Sequence, residues 1–215
     1  MRVWRAGCDK LPRGWIIRNM SQSDSGSVPA SAGDFAGAYR TSLHRALDSI
    51  DPLAVGEAVR LLRQARDAGR TTFVCGNGGS ASTASHFACD IVKGASYGRD
   101  SRFRIMALTD SLPTMTAYSN DVSYECVFVE QLKNFARAGD VVMAISGSGN
   151  SPNVLRTLEY ARSAGCETIA LTGCDGGRLG PLADVEIRVA EHHMGRIEDG
   201  HLAVCHMLAY YFMEH

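Results

Sequence analysis

The chain has almost no net charge, no long apolar run and no paired cysteines. Its 22 Lys and Arg balance 23 Asp and Glu, leaving a formal charge of -1. That balance gives no general field for nucleic acid or an anionic membrane, so any bound anion must be held by local donors. No apolar stretch approaches about 18 residues, which excludes a membrane-spanning helix. The seven cysteines (Cys8, Cys75, Cys89, Cys126, Cys166, Cys174 and Cys205) are odd in number, scattered and without a C-x-x-C pair. Most lie in apolar patterns where a free thiol acts as a small hydrophobe, a usage that fits a reducing cytoplasm. The first nineteen residues carry Arg2, Arg5, Lys10, Arg13 and Arg18 against Asp9, yet lack the apolar core of a signal peptide. Residues 1–33 read as a flexible polar leader, and Met20 would serve as a start, leaving 1–19 outside the functional protein.

What is present is the composition of one ordinary folded domain: 215 residues, 45% hydrophobic and 21% charged. From residue 34 onward helix and strand patterns alternate. Phe35, Tyr39, Leu43 and Leu47 recur at i+4 in a predicted helix from Asp34 to Ile50. Asp51-Pro52 supplies an N-cap and an N1 proline for a second helix running to about Ala68, ended by Gly69. Short apolar runs at Thr71–Cys75, Phe103–Leu108, Val141–Ile145, Thr168–Thr172 and Val185–Val189 read as strands. Helical patterns lie near Ser80–Lys93, Tyr124–Ala138 and Pro152–Ala164, with a last one from about Ile197 to Phe212. Strands apolar along most of their length and alternating with helices predict an α/β fold: a five-stranded parallel sheet covered on both faces. Ligands of such folds bind beyond the carboxyl ends of the strands.

Two glycine turns fall at such ends. Phe73-Val-Cys-Gly-Asn77-Gly78-Gly79-Ser80 runs from strand into helix, and the helix then carries His86 and Asp90 at i, i+4 on one face. Val141–Ile145 leads into Ser146-Gly147-Ser148-Gly149-Asn150-Ser151. Neither turn is a dinucleotide G-x-G-x-x-G motif, since Ala81 takes the third glycine position, and neither has the lysine of a P-loop. Paired strand-to-helix turns with free backbone N–H groups, hydroxyls and helix dipoles suit a small phosphorylated ligand. Ser151, ahead of Pro152, reads equally as a helix N-cap.

These motifs, with Asn120-Asp121, Leu171-Thr-Gly-x-Asp-Gly-Gly177 and Arg196-Ile197 followed by His206, closely resemble the phosphoheptose isomerase branch of the sugar-isomerase (SIS) fold. The resemblance runs in order from about residue 34 to the C-terminus. It implies a flavodoxin-like doubly wound three-layer sandwich. It also implies a cytoplasmic homotetramer, with sites near subunit interfaces, that interconverts sedoheptulose 7-phosphate and a D-glycero-D-heptose 7-phosphate. The manno form is the expected aldose. By position it assigns Asn77, Gly78, Gly79, Ser80, Asn120, Asp121, Ser146, Gly147, Ser148, Ser151 and Glu198 to substrate. It assigns His86, Asp90, Glu198 and His206 to a zinc ion.

Two positions depart from the branch pattern: Asp90 stands where Glu is usual, and Glu198 where Gln is usual. Both remain competent zinc ligands. Asp90, one methylene shorter, is the first candidate for moving the proton between C1 and C2 through an enediol, with His206 as acid/base on the oxygens. Glu198 is the rival base, and His201, three residues after it, a rival ligand. His192 and His193 read as loop residues near the mouth, and Arg196 as a subunit bridge, a substrate contact or a surface ion pair. The alternatives are a non-catalytic sugar-phosphate binder, such as the replication-initiator partner of similar fold, or an isomerase of another sugar phosphate. The terminal helix, through Leu202, Val204, Met207, Leu208, Tyr210, Tyr211 and Phe212, offers apolar surface suited to subunit contact.

Overall fold

The computed structural model describes residues 31–215; residues 1–30 of the leader expected over 1–33, including the candidate start Met20 and Cys8, lie outside the described residues, and its last residues open the first helix. Helix α1 (Ala32–Asp48) begins where the Ser31 hydroxyl oxygen accepts the Asp34 N–H. Helix α2 (Pro52–Asp67) begins with Asp51 accepting the Leu53 N–H, and Gly69 ends it at φ +64°. Strand β1 (Thr71–Gly76) leads to α3 (Gly79–Cys89), which widens into a π-turn at Asp90–Gly94. Then follow β2 (Arg104–Ala107), α4 (Leu112–Asp121), a 3-10 turn at Tyr124–Cys126, α5 (Val129–Phe135) and β3 (Val141–Ser146). Helix α6 (Pro152–Ser163), β4 (Glu167–Gly173), a 3-10 turn at Gly180–Leu182, β5 (Val185–Val189) and α7 (Met194–Glu214) complete the chain.

The five strands are parallel in the order β2-β1-β3-β4-β5. The expected α/β sandwich is therefore present. Successive strand residues point to opposite faces. Val74, Met143, Ile145, Ile169 and Leu171 pack with α2, α3 and α7 on one side. Phe73, Cys75, Val142, Ala144 and Ala170 pack with α5 and α6 on the other. Because chain order reverses between β1 and β3, these two neighbours diverge at their carboxyl ends and open a crevice there. Register places Gly76 beside Ile145, so the two glycine turns emerge side by side. Gly76 is required at that point: a Cβ would lie 2.7 Å from the Ser80 Cβ and 2.9 Å from the Ile145 carbonyl.

Three elements differ from the sequence reading. Helix α4 was not expected; none of its residues is buried, so no apolar stripe announces it. The helix expected over Tyr124–Ala138 is a 3-10 turn followed by the shorter α5. It ends early because the Asp140 carboxylate accepts the N–H groups of both Arg137 (2.8 Å) and Thr71 (2.9 Å), drawing the chain out of the helix. Helix α3 stops being regular at Asp90, where the Ala95 N–H bonds back five residues to the Asp90 carbonyl. Of the apolar residues on α7, Val204, Leu208 and Phe212 are core, whereas Met207 and Tyr210 stay 45% and 51% exposed. Phe35 and Leu53 on the first two helices are exposed as well. Among the described residues no helix is long and apolar enough to cross a membrane, and the cysteines are free thiols.

Candidate active site

A cavity of about 140 Å³ lies at the switch point, lined by Asn77, Ser80, Ile145, Ser146, Gly147, Ser148, Ser151, Met194 and Glu198. Ser151 occupies the N-cap position of α6 but makes no capping hydrogen bond; its Oγ instead lies 3.4 Å from the Ser146 Oγ. The capping reading of Ser151 is thereby set aside, and its hydroxyl belongs to the cavity. Ser148 Oγ accepts the Asn150 N–H at 3.2 Å, which leaves its own proton to donate. Gly78, at φ +56°, turns the chain into α3 without a side-chain cap, so the first N–H groups of that helix stay available. The first turn of α7 closes the cavity. A Cβ on Gly147 would meet the Met194 sulfur at 2.7 Å, and one on Gly79 would meet the Glu198 carboxylate at 2.5 Å. The third glycine motif is a buttress: a Cβ on Gly149, at φ +63°, would strike the Gly176 carbonyl at 2.1 Å.

A second group forms at the other end of α3. His86, Asp90 and His206 bring one ligand atom each within 4.8 Å of one another. The His86 Nε2 lies 3.2 Å from the His206 Nε2 and 3.2 Å from the Asp90 Oδ2; His206 Nε2 to Asp90 Oδ2 is 3.8 Å. Ligands at zinc bond lengths of about 2.0–2.1 Å stand about 3.3 Å apart in a tetrahedron. Two imidazole nitrogens and a carboxylate at these separations can hold a divalent cation with one position open. The imidazoles and Asp90 are partly open, with side-chain exposures of 49%, 42% and 24% for His86, His206 and Asp90.

Three of the four expected ligands thus converge within one chain. Glu198 stands apart from them, half-buried against Gly79 in the serine cavity. His201 does not serve as a rival ligand: it is 1% exposed, with its Nε2 at 2.9 Å from the Thr172 carbonyl. Asn120 and Asp121 end the exposed helix α4, where the Asn120 amide donates to Asp121 at 2.8 Å, and neither lines the serine cavity. Asn77 does line it, but its side chain turns aside to Asn153 and Tyr124. Those two residues and Met194 went unread in the sequence. An Asn in the first turn of a helix that follows a glycine turn was the only available signal for Asn153.

Beside the cavity the α7 N-terminus is clamped. Arg196 pairs with Glu191 at 2.7 Å, which makes Arg196 an intramolecular ion-pair partner. Burial would raise the Glu191 carboxyl. The Arg196 hydrogen bond, the N–H groups of His193 and His192, and the Arg196 charge outweigh it and hold the pKa at about 2. Tyr39 of α1 donates to Asp199 at 2.6 Å and meets the His193 ring edge-on at 5.7 Å between centroids. Burial first, then the Asp199 hydrogen bond and charge, push its phenol up to about 12.

The His201 ring gives a pH prediction. Burial pushes its pKa down, with the Thr172 hydrogen bond opposing in part. Above about pH 6.5 both folded and unfolded rings are neutral; below it the unfolded chain takes up a proton that the buried ring refuses. Stability contributed by the neutral ring therefore falls as pH drops. Thermal melts at about pH 7.5 and 5.5 will show a smaller loss in His201→Gln than in the unaltered protein. Equal losses would rule out His201 as the source.

Comparison with known proteins gives a consistent picture. The family model for the SIS domain matches residues 35–173. A phosphoheptose isomerase of Trichlorobacter lovleyi is 40% identical over 161 residues, covering 72% of this chain and 78% of that protein. The solved phosphoheptose isomerase of Neisseria gonorrhoeae superposes with a TM-score of 0.79 at 30% identity, over 86% of this chain and all of that one. That of Francisella tularensis gives 0.81 at 27% identity over the same shares.

Proposed function

Because this chain belongs to the SIS-domain family, and within it to the phosphoheptose isomerases, we propose that it interconverts sedoheptulose 7-phosphate and D-glycero-D-manno-heptose 7-phosphate through an enediol. The observation that carries the residue assignment is the distance between its two polar groups. Gly79 and His86 are seven residues apart on α3, about 10 Å of rise. A seven-carbon chain with bonds of about 1.5 Å at tetrahedral angles spans about 8 Å when extended. The comparable lengths support a sugar phosphate lying along α3, with its phosphate at the serine cavity and C1 and C2 toward the His86–Asp90–His206 group.

In this reading Ser146, Ser148 and Ser151 donate hydroxyl hydrogen bonds to the phosphate. The backbone of Gly147 and the N-terminus of α6 complete the cradle, and the N-terminus of α3 faces the rest of the sugar. Asp90 takes the proton alpha to the carbonyl and returns it at the neighbouring carbon. His206 is the candidate acid/base for the oxygens. Glu198, in the serine cavity, accepts from the sugar hydroxyls, while Asn120 and Asp121 approach the ligand from the α4 side. His86, Asp90 and His206 would hold a zinc ion, which would supply positive charge at the reacting end. Residues 34–215 form the functional domain and 1–33 the leader. The exposed Phe35, Leu53, Met207 and Tyr210 suit burial between copies of a cytoplasmic homotetramer.

The test is incubation with sedoheptulose 7-phosphate, with and without added Zn²⁺, following the aldose by NMR. Conversion that chelation abolishes and Zn²⁺ restores is the expected result, from a species of four-chain mass by light scattering. Binding of the sugar phosphate without turnover would instead identify a non-catalytic binder.

A further inference from the structure

We propose that Asn153 and Tyr124 are positioning residues that lock the two glycine turns of the site into one rigid unit through the Asn77 side chain. The turn after β1 and the turn after β3 share no strand pairing once the sheet ends, so their relative position must be fixed by side chains. Asn77 and Asn153 do this reciprocally: the Asn77 Nδ2 donates to the Asn153 Oδ1 at 2.8 Å, and the Asn153 Nδ2 donates to the Asn77 Oδ1 at 2.9 Å. Asn153 is 2% exposed, and its own carbonyl is held by the Thr157 hydroxyl at 2.7 Å within α6. It is therefore a fixed post on the helix that begins at the serine turn.

Tyr124 closes the arrangement from a third element. Its hydroxyl donates to the Asn77 Oδ1 at 2.8 Å, and the adjacent Glu125 pairs with Arg156 of α6. Both lone pairs of the Asn77 oxygen are thus occupied, by Asn153 and by Tyr124. The Asn77 side chain keeps a single N–H for a ligand, so its main part in the site is structural registration. A ligand touching both turns gains from this unit, because a relative displacement of about 1 Å between the two binding ends costs on the order of a hundredfold in rate. A ligand touching the serine turn alone does not.

That difference defines the experiment, which rests on the isomerase reading only for its choice of ligand. Affinities for sedoheptulose 7-phosphate and for inorganic phosphate are measured by calorimetry, and kcat and KM by NMR. Asn153→Ala is expected to weaken sugar-phosphate binding about tenfold or more and to lower kcat. Inorganic phosphate affinity should change by no more than about twofold, because the serines remain. Tyr124→Phe, which removes one hydroxyl from a half-exposed side chain, should act in the same direction by about threefold to tenfold. The double variant should lose less than the product of the two, since both act through one oxygen. An unchanged ratio of the two affinities in both variants overturns the proposal. So does equal weakening of both ligands, which marks a general loss of structure. Should Asn153→Ala fail to fold, Tyr124→Phe decides by the same ratio. Absence of turnover by the unaltered protein counts against the isomerase reading and leaves the affinity ratio to judge the registration unit.

Discussion

Asp90→Asn will lower kcat/KM for sedoheptulose 7-phosphate by about a thousandfold, whereas Glu198→Gln will change it by no more than about tenfold. The two acids are often treated alike on chemistry alone, and their surroundings separate them. Asp90 lies within 3.2 Å of His86 and 3.8 Å of His206, where the amide would remove both a proton acceptor and one of three cation ligands. Zn²⁺ affinity should therefore drop together with turnover, by about 10- to 100-fold or more, and a metal-binding titration reads that directly. Glu198 lies against Gly79 in the serine cavity, away from that group. Glutamine keeps its length and one acceptor oxygen, and removes a negative charge that opposes an anionic ligand. KM should fall, and kcat should move less. If Glu198→Gln proves the more damaging of the two in kcat, the base is Glu198 and the assignment made here is reversed.

The basis of that assignment was only partly legible in the sequence. Apolar runs predicted every strand to within a residue or two, most clearly β1, β3 and β4, because a parallel strand buried on both faces leaves a continuous signal. The serine turn was legible for the same reason, as a break in that signal with hydroxyls in it. Spacing also placed His86 with Asp90, because i, i+4 on a helix is a local relation. It could not show that the helix widens at Asp90, since π-turns carry no composition of their own. Distance along the chain hid the rest. Only the resemblance joined His206 to His86 across 120 positions, and nothing joined Asn153 to Asn77 across 76. Glu198 and His201 are three apart on one helix and looked equivalent. Packing distinguishes them: His201 points inward to the Thr172 carbonyl, and Glu198 outward to the crevice. Helix α4 was invisible because it buries no residue fully, with only Met115 and Tyr118 partly covered, so hydrophobic periodicity had little face to report.

Gly79→Ala should remove activity while leaving the fold as stable as before, or more so. Gly79 is the first residue of α3, exposed and without a positive φ, so alanine is compatible with its backbone. At a helical position that exchange favours the folded state by up to about 1 kcal/mol, and the melting temperature should hold or rise by a few degrees, about 2–4 °C. The added methyl, however, lands 2.5 Å from one oxygen of Glu198, 2.6 Å from its Cδ and 2.7 Å from the other oxygen. The carboxylate is the free end of a flexible side chain and will swing away. The methyl then occupies the approach to the open N–H groups of α3, and the displaced charge enters the phosphate cavity. Both effects oppose an anionic ligand, and a loss of about a hundredfold in kcat/KM follows from displacement of about an ångström at each end. Combining Gly79→Ala with Glu198→Ala removes the displaced charge but keeps the methyl. Partial recovery of sugar-phosphate affinity in that double variant would assign the loss to the carboxylate, and no recovery would assign it to the blocked helix terminus. A Gly79→Ala protein with unaltered kcat/KM would show that substrate does not use the first turn of α3, and the two-ended placement of the sugar would fall with it.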